Sequence, residues 1–400
     1  MNLLYLCDEY PPCEHGGIGT VTQTLAREMV KKGHHVSVCG FYPYYRKAAS
    51  YEEDQGVKVY RRFYGNKLLL KLSKHRYTGR IINIEKSFNK YTGFLTEFIK
   101  NEGIDIIEIP DFNEAFRYSG PRFINFPDFS IPIIIKLHGT FSFFDHLKME
   151  RSFNTIIFRK EHYLIQNANK VLAISEFSKK VVKEIFNYSK DIAVIKNGIS
   201  ITDSIEYLDD SKIKSVVFAG TLAEKKGVIS LIKAWEIVTR EIPSARLSLY
   251  GKGGGQILEK VNKLIFDKIR GSIELKGYVS SFKLSEIYRT ASCAIFPSYA
   301  ESFGMAPLES MLAGCPTIFT KRASGEELIT NGIDGILIDP DNIQEIADAL
   351  IIMLTDRRSA LTMGKNAAAT VKEKYDISII ADKHIELYNT LLKHNSNDVK

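Results

Sequence analysis

The chain has 400 residues, 44% of them hydrophobic and 25% charged, with a formal net charge of +7. That is too much chain for one typical core, and the length favours two domains of broadly similar size. The charge is modest overall, but cations bunch between Lys58 and Lys100, where Glu85 and Glu97 alone oppose them, which suggests an anionic neighbour there and gives no sign of nucleic acid.

In chain order, residues 3–7 read as an apolar strand, 16–19 as a glycine-rich loop, and Val21, Leu25 and Met29 recur at helical spacing before Gly33. Residues 36–39 return as a second strand. Because the chain starts on this strand, followed by Asp8 and Glu9, it lacks the basic start and long apolar centre of a signal peptide. Further strands are predicted at 104–109, 133–137, 171–174 and 192–195. The polar stretch 197–211 reads as a linker. Beyond it, 216–219 is a strand, 220–227 a glycine-bearing loop, and Val228, Leu231, Trp235 and Val238 mark a helix closed by Pro243, before a returning strand at 246–250. Strands at 273–275, 294–296, 317–320 and 335–338 complete the pattern, and a last helix is expected near 379–392.

Strand, glycine loop, helix, strand thus occurs twice, the opening unit of a parallel α/β sheet each time. The expectation is an N-terminal domain over 1–200, a C-terminal domain over 201–375 and a final helix, 376–400, returning to the first. Ligands of open parallel sheets bind beyond the carboxyl ends of the strands, so two such sheets facing each other would make a deep cleft for the chemistry. The longest apolar runs, 131–137 and 291–296, fall far short of the roughly 20 residues that a membrane-spanning helix needs. Cys7, Cys13, Cys39, Cys293 and Cys315 show no metal-ligand spacing and read as reduced thiols of a cytoplasmic protein.

Residues 296–316 are the most informative stretch. A strand ends at Pro297, a loop carries Glu301, Phe303 and Gly304, and a helix begins at Met305 and stops at Gly314 and Pro316. A helix opening at Gly304 presents free N–H groups to a diphosphate, and Glu301 and Glu309 bracket it. Two glutamates eight positions apart are, by themselves, more often solvated than functional; the residues around them reverse that preference.

The run Glu301-Ser-Phe-Gly-Met-Ala-Pro-Leu-Glu309 has the E-x7-E form with an internal Phe-Gly, and it resembles the family-4 retaining glycosyltransferases of GT-B fold. The resemblance spans nearly the whole chain: Asp8-Glu9-Tyr10-Pro11-Pro12, Gly16-Gly17-Ile18-Gly19, His138-Gly139, Asn197-Gly198, 220–227 and 331–340 follow in order. It implies two Rossmann-like domains, acceptor-binding first and donor-binding second, and transfer of a hexose-type sugar from a nucleotide diphosphate with retention. The acceptor would be a glycan or a lipid-linked glycan of cell-surface polysaccharide or glycolipid synthesis. The nucleotide sugar is a substrate, so no cofactor is implied, and no metal.

By the same resemblance Glu309 binds the donor ribose, while Glu301 and the backbone of Phe303, Gly304 and Met305 hold sugar and phosphates, roles that suit a carboxylate accepting from hydroxyls and N–H groups donating to phosphate. The loop Gly220-Thr-Leu-Ala-Glu-Lys-Lys-Gly227 places the diphosphate-binding lysine of the family at Lys226. Thr221 stands where the family usually has arginine, with Lys225 or Arg322 as candidate substitutes. His138 follows a strand, where the family has a histidine that contacts the donor sugar. Gly16, Gly17 and Gly19 lack the third glycine of a dinucleotide fingerprint. They are read as a close-approach loop, Gly17 toward the donor phosphate and Gly16 and Gly19 toward the acceptor, with Glu108 and Asp111 as further acceptor-side groups.

Two readings remain beside these. Residues 61–100 interleave basic with apolar side chains, either as a solvated helical face over a core or as a peripheral contact with anionic lipid at the inner face of the membrane through Lys67, Lys71, Lys74 and Arg76. The fold could also serve an epimerase, a glycan phosphorylase or a non-catalytic nucleotide-sugar-binding subunit. Asp339-Pro340-Asp341 could in principle hold a metal but reads as a turn.

Overall fold

The structure is a computed structural model and describes residues 1–12, 16–42, 49–63, 77–112, 129–147, 155–201, 207–208, 214–269 and 271–398. Two compact units emerge, one of Met1–Gly198 with Ile377–Lys400 and the other of Ile199–Asp376.

The first unit is built on a sheet of β1 (Asn2–Leu6), β2 (His35–Tyr42), β3 (Tyr51–Asp54), β4 (Val57–Phe63), β5 (Ile106–Pro110), β6 (Ile133–Leu137), β7 (Lys170–Ala173) and β8 (Ile192–Val194). Their order is β3-β4-β2-β1-β5-β6-β7-β8, and all neighbours run parallel except the β3–β4 hairpin. Side chains of a strand point alternately to its two faces. Leu4, Leu6, Ile107, Ile109, Ile135 and Leu137 accordingly enter one core, under the helix Tyr77–Glu102. Leu3, Tyr5, Val36, Val38, Ile106, Ile134 and Leu172 enter the other, under the helix Gly17–Lys31 and the last helix, Ile377–Asp398, which adds Ile377, Ile380, Ala381 and Tyr388. Burial on both faces is why these strands read as nearly unbroken apolar runs.

The second unit holds six parallel strands, β9 (Ser215–Ala219), β10 (Arg246–Tyr250), β11 (Ile273–Gly277), β12 (Cys293–Phe296), β13 (Thr317–Thr320) and β14 (Ile336–Ile338), in the order β11-β10-β9-β12-β13-β14. Val228, Leu231, Trp235 and Val238 of the helix Val228–Glu241 pack on the sheet with Ile346, Leu350 and Met353 of the helix Ile343–Thr355.

The described part of the basic stretch fits the reading of a helical face over a core from Phe88 on, while Arg61 departs from it. Gln55 and Gly56, both at positive φ, turn the chain between β3 and β4 as a tight hairpin requires. Arg61 therefore lies inside β4, 1% exposed, bonded to Glu52 at 2.6 Å and to the Pro11 carbonyl at 2.7 Å. Phe88, Tyr91, Leu95, Phe98 and Ile99 belong to the core, and the Arg62 guanidinium stacks 3.6 Å from the Phe94 ring centre. The described part of 61–100 is thus a hairpin strand and a core helix. Lys67, Lys71, Lys74 and Arg76 lie outside the described residues.

Candidate active site

In the second unit β9 and β12 are neighbours, so the loops leaving their carboxyl ends meet. After β9 the loop passes Gly220 and the exposed Thr221 into a single 3-10 turn, Glu224–Lys226, and reaches Gly227 at φ +70°. A Cβ on Gly227 would lie 1.8 Å from the Pro297 carbonyl oxygen. Only glycine lets the two loops approach this closely. The Tyr299 N–H then donates to the Lys225 carbonyl at 2.8 Å. This close seating brings the Lys226 ammonium onto a carboxylate oxygen of Glu301. The two side chains keep 24% and 17% of their surface exposed, so the pair is open to a ligand on one side.

The next loop is pinned from below. Phe303 is buried and its carbonyl accepts from the Ser324 hydroxyl at 2.6 Å. Gly304, at φ +107°, caps the helix Met305–Leu312, and a Cβ there would meet the Phe319 and Pro307 rings at 2.9 Å. No side chain caps this helix and its first turn holds no acidic residue. Its first N–H groups point beyond the helix end, as an anion site requires. One turn on, among the described residues the half-buried Glu309 side chain has no hydrogen-bond or ion-pair partner. Burial pushes its carboxyl from the usual 4.5 up to about 7. Among the described residues no cation or donor opposes this, which suits a carboxylate that takes hydroxyl donors from a ligand. Tyr288, which the sequence gave no reason to single out, lies fully buried within reach of the Glu309 charge, its hydroxyl without a partner.

One of the two candidate substitutes for the missing arginine, Arg322, is differently employed. Arg322 pairs with Asp339 at 2.8 Å and with Asp341, beside the Tyr299 ring. Both aspartates thus share Arg322, with the Lys321 ammonium 3.8 Å from Asp339, and among the described residues no group of three or more His, Cys, Asp or Glu is placed to hold a metal.

In the first unit the exposed Gly16 and Gly17 open the helix Gly17–Lys31 beyond β1, while Gly19 is buried in it. Glu9, which was not singled out, accepts from the Gly16 N–H at 3.0 Å. His138 leaves the carboxyl end of β6 and is 9% exposed. Burial first, then the charges of Lys136 and His384, hold its pKa well below the ordinary value, so the imidazole is neutral.

Glu108 and Asp111, expected as acceptor-side groups, are both buried, and their carboxylates bond inward. Asp111 accepts from the N–H groups of His138 at 2.8 Å and Gly139 at 3.0 Å. Glu108 accepts from the Tyr388 hydroxyl at 2.6 Å and lies 3.6 Å from the Lys136 ammonium. Lys136 in turn stands 3.2 Å from His384 Nε2, and His384 Nδ1 is 2.8 Å from the Ile380 carbonyl. This buried cluster fastens the last helix to β5 and β6.

Among the described residues no helix is long and apolar enough to cross a membrane. Comparison with known proteins places this geometry. Residues 15–203 match the family model for Glycosyltransferase Family 4, and residues 202–370 the model for Glycosyl transferases group 1. An uncharacterised glycosyltransferase of Methanocaldococcus jannaschii is 26% identical, covering 98% of this chain and 99% of its own. The poly(ribitol-phosphate) alpha-N-acetylglucosaminyltransferase of Staphylococcus aureus is 26% identical over 61% of this chain and 50% of its own. The solved structure of the Anabaena protein HepE in complex with UDP and glucose superposes with a TM-score of 0.73 at 19% identity, covering 97% of this chain and 99% of that one. The two-sheet architecture is that of the GT-B glycosyltransferases.

Proposed function

We propose that this chain, which belongs to the group 1 glycosyl transferases and carries a family 4 glycosyltransferase domain ahead of that one, moves a hexose from a uridine diphosphate donor to a hydroxyl of a glycan or lipid-linked glycan, with retention. The observation that carries this reading is the second unit's loop cluster. It sets a cation, Lys226, an uncapped helix start at Gly304 and an unpartnered carboxylate, Glu309, on neighbouring elements. A diphosphate fits the first two, and a ribose the third. The donor base follows the UDP bound by the Anabaena structure, and the polymer acceptor follows the Staphylococcus aureus relative.

In the step proposed, the acceptor oxygen bonds to the anomeric carbon as the bond from that carbon to the phosphate oxygen breaks. The departing phosphate oxygen takes the acceptor's proton, on the same face. Negative charge grows on the diphosphate, and Lys226 with the helix N–H groups stabilises it there, which leaves no need for a metal. Retaining glycosidases place a carboxylate nucleophile about 5 Å from the acid; here Glu301 is already held by Lys226 and is read as a ligand of the sugar. His138, a neutral imidazole at the carboxyl end of β6, is read as a ligand of the donor sugar.

The test is UDP release from UDP-glucose with and without acceptor glycans, with EDTA present, and NMR of the product's anomeric centre. Release in EDTA with an α-linked product supports the reading. Inverted product, a metal requirement, or failure of every nucleotide sugar to react sinks it.

A further inference from the structure

We infer that Asp111 and Glu161 are positioning residues for the reaction, holding the His138 side chain in place by gripping the backbone on either side of Thr140. The inference rests on the reading that His138 meets the donor sugar.

The loop between β6 and the helix Phe141–Leu147 is three residues long, and it must turn the chain sharply. Gly139 makes the turn at φ +116°, where a Cβ would press on the Phe144 ring at 2.8 Å. Two carboxylates then hold the backbone in matched pairs. Asp111 Oδ1 takes the N–H of His138 and Oδ2 that of Gly139, at 2.8 and 3.0 Å. Glu161, from the helix Thr155–Asn167, takes the N–H of Phe141 with Oε1 at 2.9 Å and that of Ser142 with Oε2 at 3.2 Å. Thr140 completes the hold by accepting the Phe143 N–H at 2.9 Å.

The grip is itself anchored. The Asp111 N–H donates to the Lys136 carbonyl at 2.9 Å, two residues before His138, so Asp111 moves only with β6. Both carboxylates are nearly closed to water, 5% and 7% exposed, and among the described residues no cation is in direct contact with either. Burying a charge is unfavourable unless hydrogen bonds satisfy it, so each carboxylate is bound to the loop as tightly as the loop is bound to it. A neutral serine or threonine would suffice to cap one short helix. Two bidentate carboxylates on four donors fix a direction, and the only side chain on this turn with reacting chemistry is His138. The same bonds occupy the N–H groups that a diphosphate would otherwise seek here, so the loop acts on a ligand through its side chains.

The test uses the full chain and UDP release from UDP-glucose. Asp111→Asn and Glu161→Gln keep the size of each side chain but turn one acceptor into a donor that faces an N–H. Both are expected to fold, as read by circular dichroism, with kcat lowered about 10- to 100-fold, the loss that a misplacement of about 1 Å brings, and with KM for UDP-glucose within about twofold because the donor clamp is untouched. Glu161→Gln carries the test if Asp111→Asn fails to fold. His138→Ala runs beside them. Loss in His138→Ala with unchanged kcat in the folded Asn and Gln variants overturns the positioning inference alone. Unchanged kcat in His138→Ala removes the reading beneath it as well. A rise in KM matching the fall in kcat/KM would show that the carboxylates serve binding at large and not His138.

Discussion

Glu309→Gln separates stability from function in opposite directions. The carboxyl is raised from 4.5 to about 7 by burial alone. At about 1.4 kcal/mol per pKa unit that is ~3 kcal/mol of unfavourable ionisation at pH 8, and partial exposure of the side chain cuts it to ~1–2 kcal/mol. The sign follows from proton counting: between 4.5 and about 7 the folded state binds a proton that the unfolded state has lost, so stability falls as pH rises through that window. Gln has no charge to desolvate, so the variant should melt about 2–6 °C above wild type at pH 8 and equal it only below pH 4.5. UDP binding should weaken instead, by roughly 1.5–3 kcal/mol for lost charge-assisted bonds to ribose hydroxyls. Those hydroxyls favour the ionised carboxylate, so wild-type binding near pH 6.5 must release protons. Calorimetry in two buffers of different ionisation enthalpy would read that release, and Gln would abolish it. Equal melting points at pH 8 and buffer-independent enthalpies in wild type would refute the reasoning.

The strands were legible because parallel strands buried on both faces announce themselves as apolar runs, whereas the loops 220–227 and 301–309 were singled out by their resemblance to a family's motifs, since glutamates and lysines at such spacing are by themselves as readily solvated. The β3–β4 hairpin was not legible. Arg61 looks like a surface cation until Glu52 and Pro11, 9 and 50 residues away, close around it. The inward turn of Glu108 was hidden for the same reason at greater range, since its partner Tyr388 stands 280 residues on. Local pattern reports which strand end a carboxylate occupies; it does not report which way the carboxylate turns when the neighbours that decide are distant in the chain. Glu161 gave no signal at all, being one acidic residue on an amphipathic helix.

Three further outcomes follow from the same geometry. Lys226→Ala removes a half-exposed pair worth at most about 1 kcal/mol to the fold but should cut kcat about 100- to 1,000-fold with a smaller change in donor KM, as loss of one group facing developing charge does; stopped UDP-release assays check it, and full turnover would make Lys226 a surface residue. Gly227→Ala forces a methyl group into the Pro297 carbonyl, 1.8 Å away, and should lower both melting point and turnover, because the loop that carries Lys226 must shift. The last concerns the buried cluster under the final helix. His384 is held down to about 4, by burial first and then by the Lys136 charge, which opposes protonation more strongly than Glu108 favours it. Its ordinary value is 6.5, so between 6.5 and about 4 the unfolded chain takes up a proton that the folded chain refuses. Stability must therefore fall as the solution is acidified through that window, with a slope of up to ~1.4 kcal/mol per pH unit from this one group. His384→Gln, which can still accept from Lys136, should flatten the slope in urea unfolding at pH 7.5, 6 and 5. An unchanged slope would mean that the folded cluster takes up a proton on His384 as readily as the unfolded chain does.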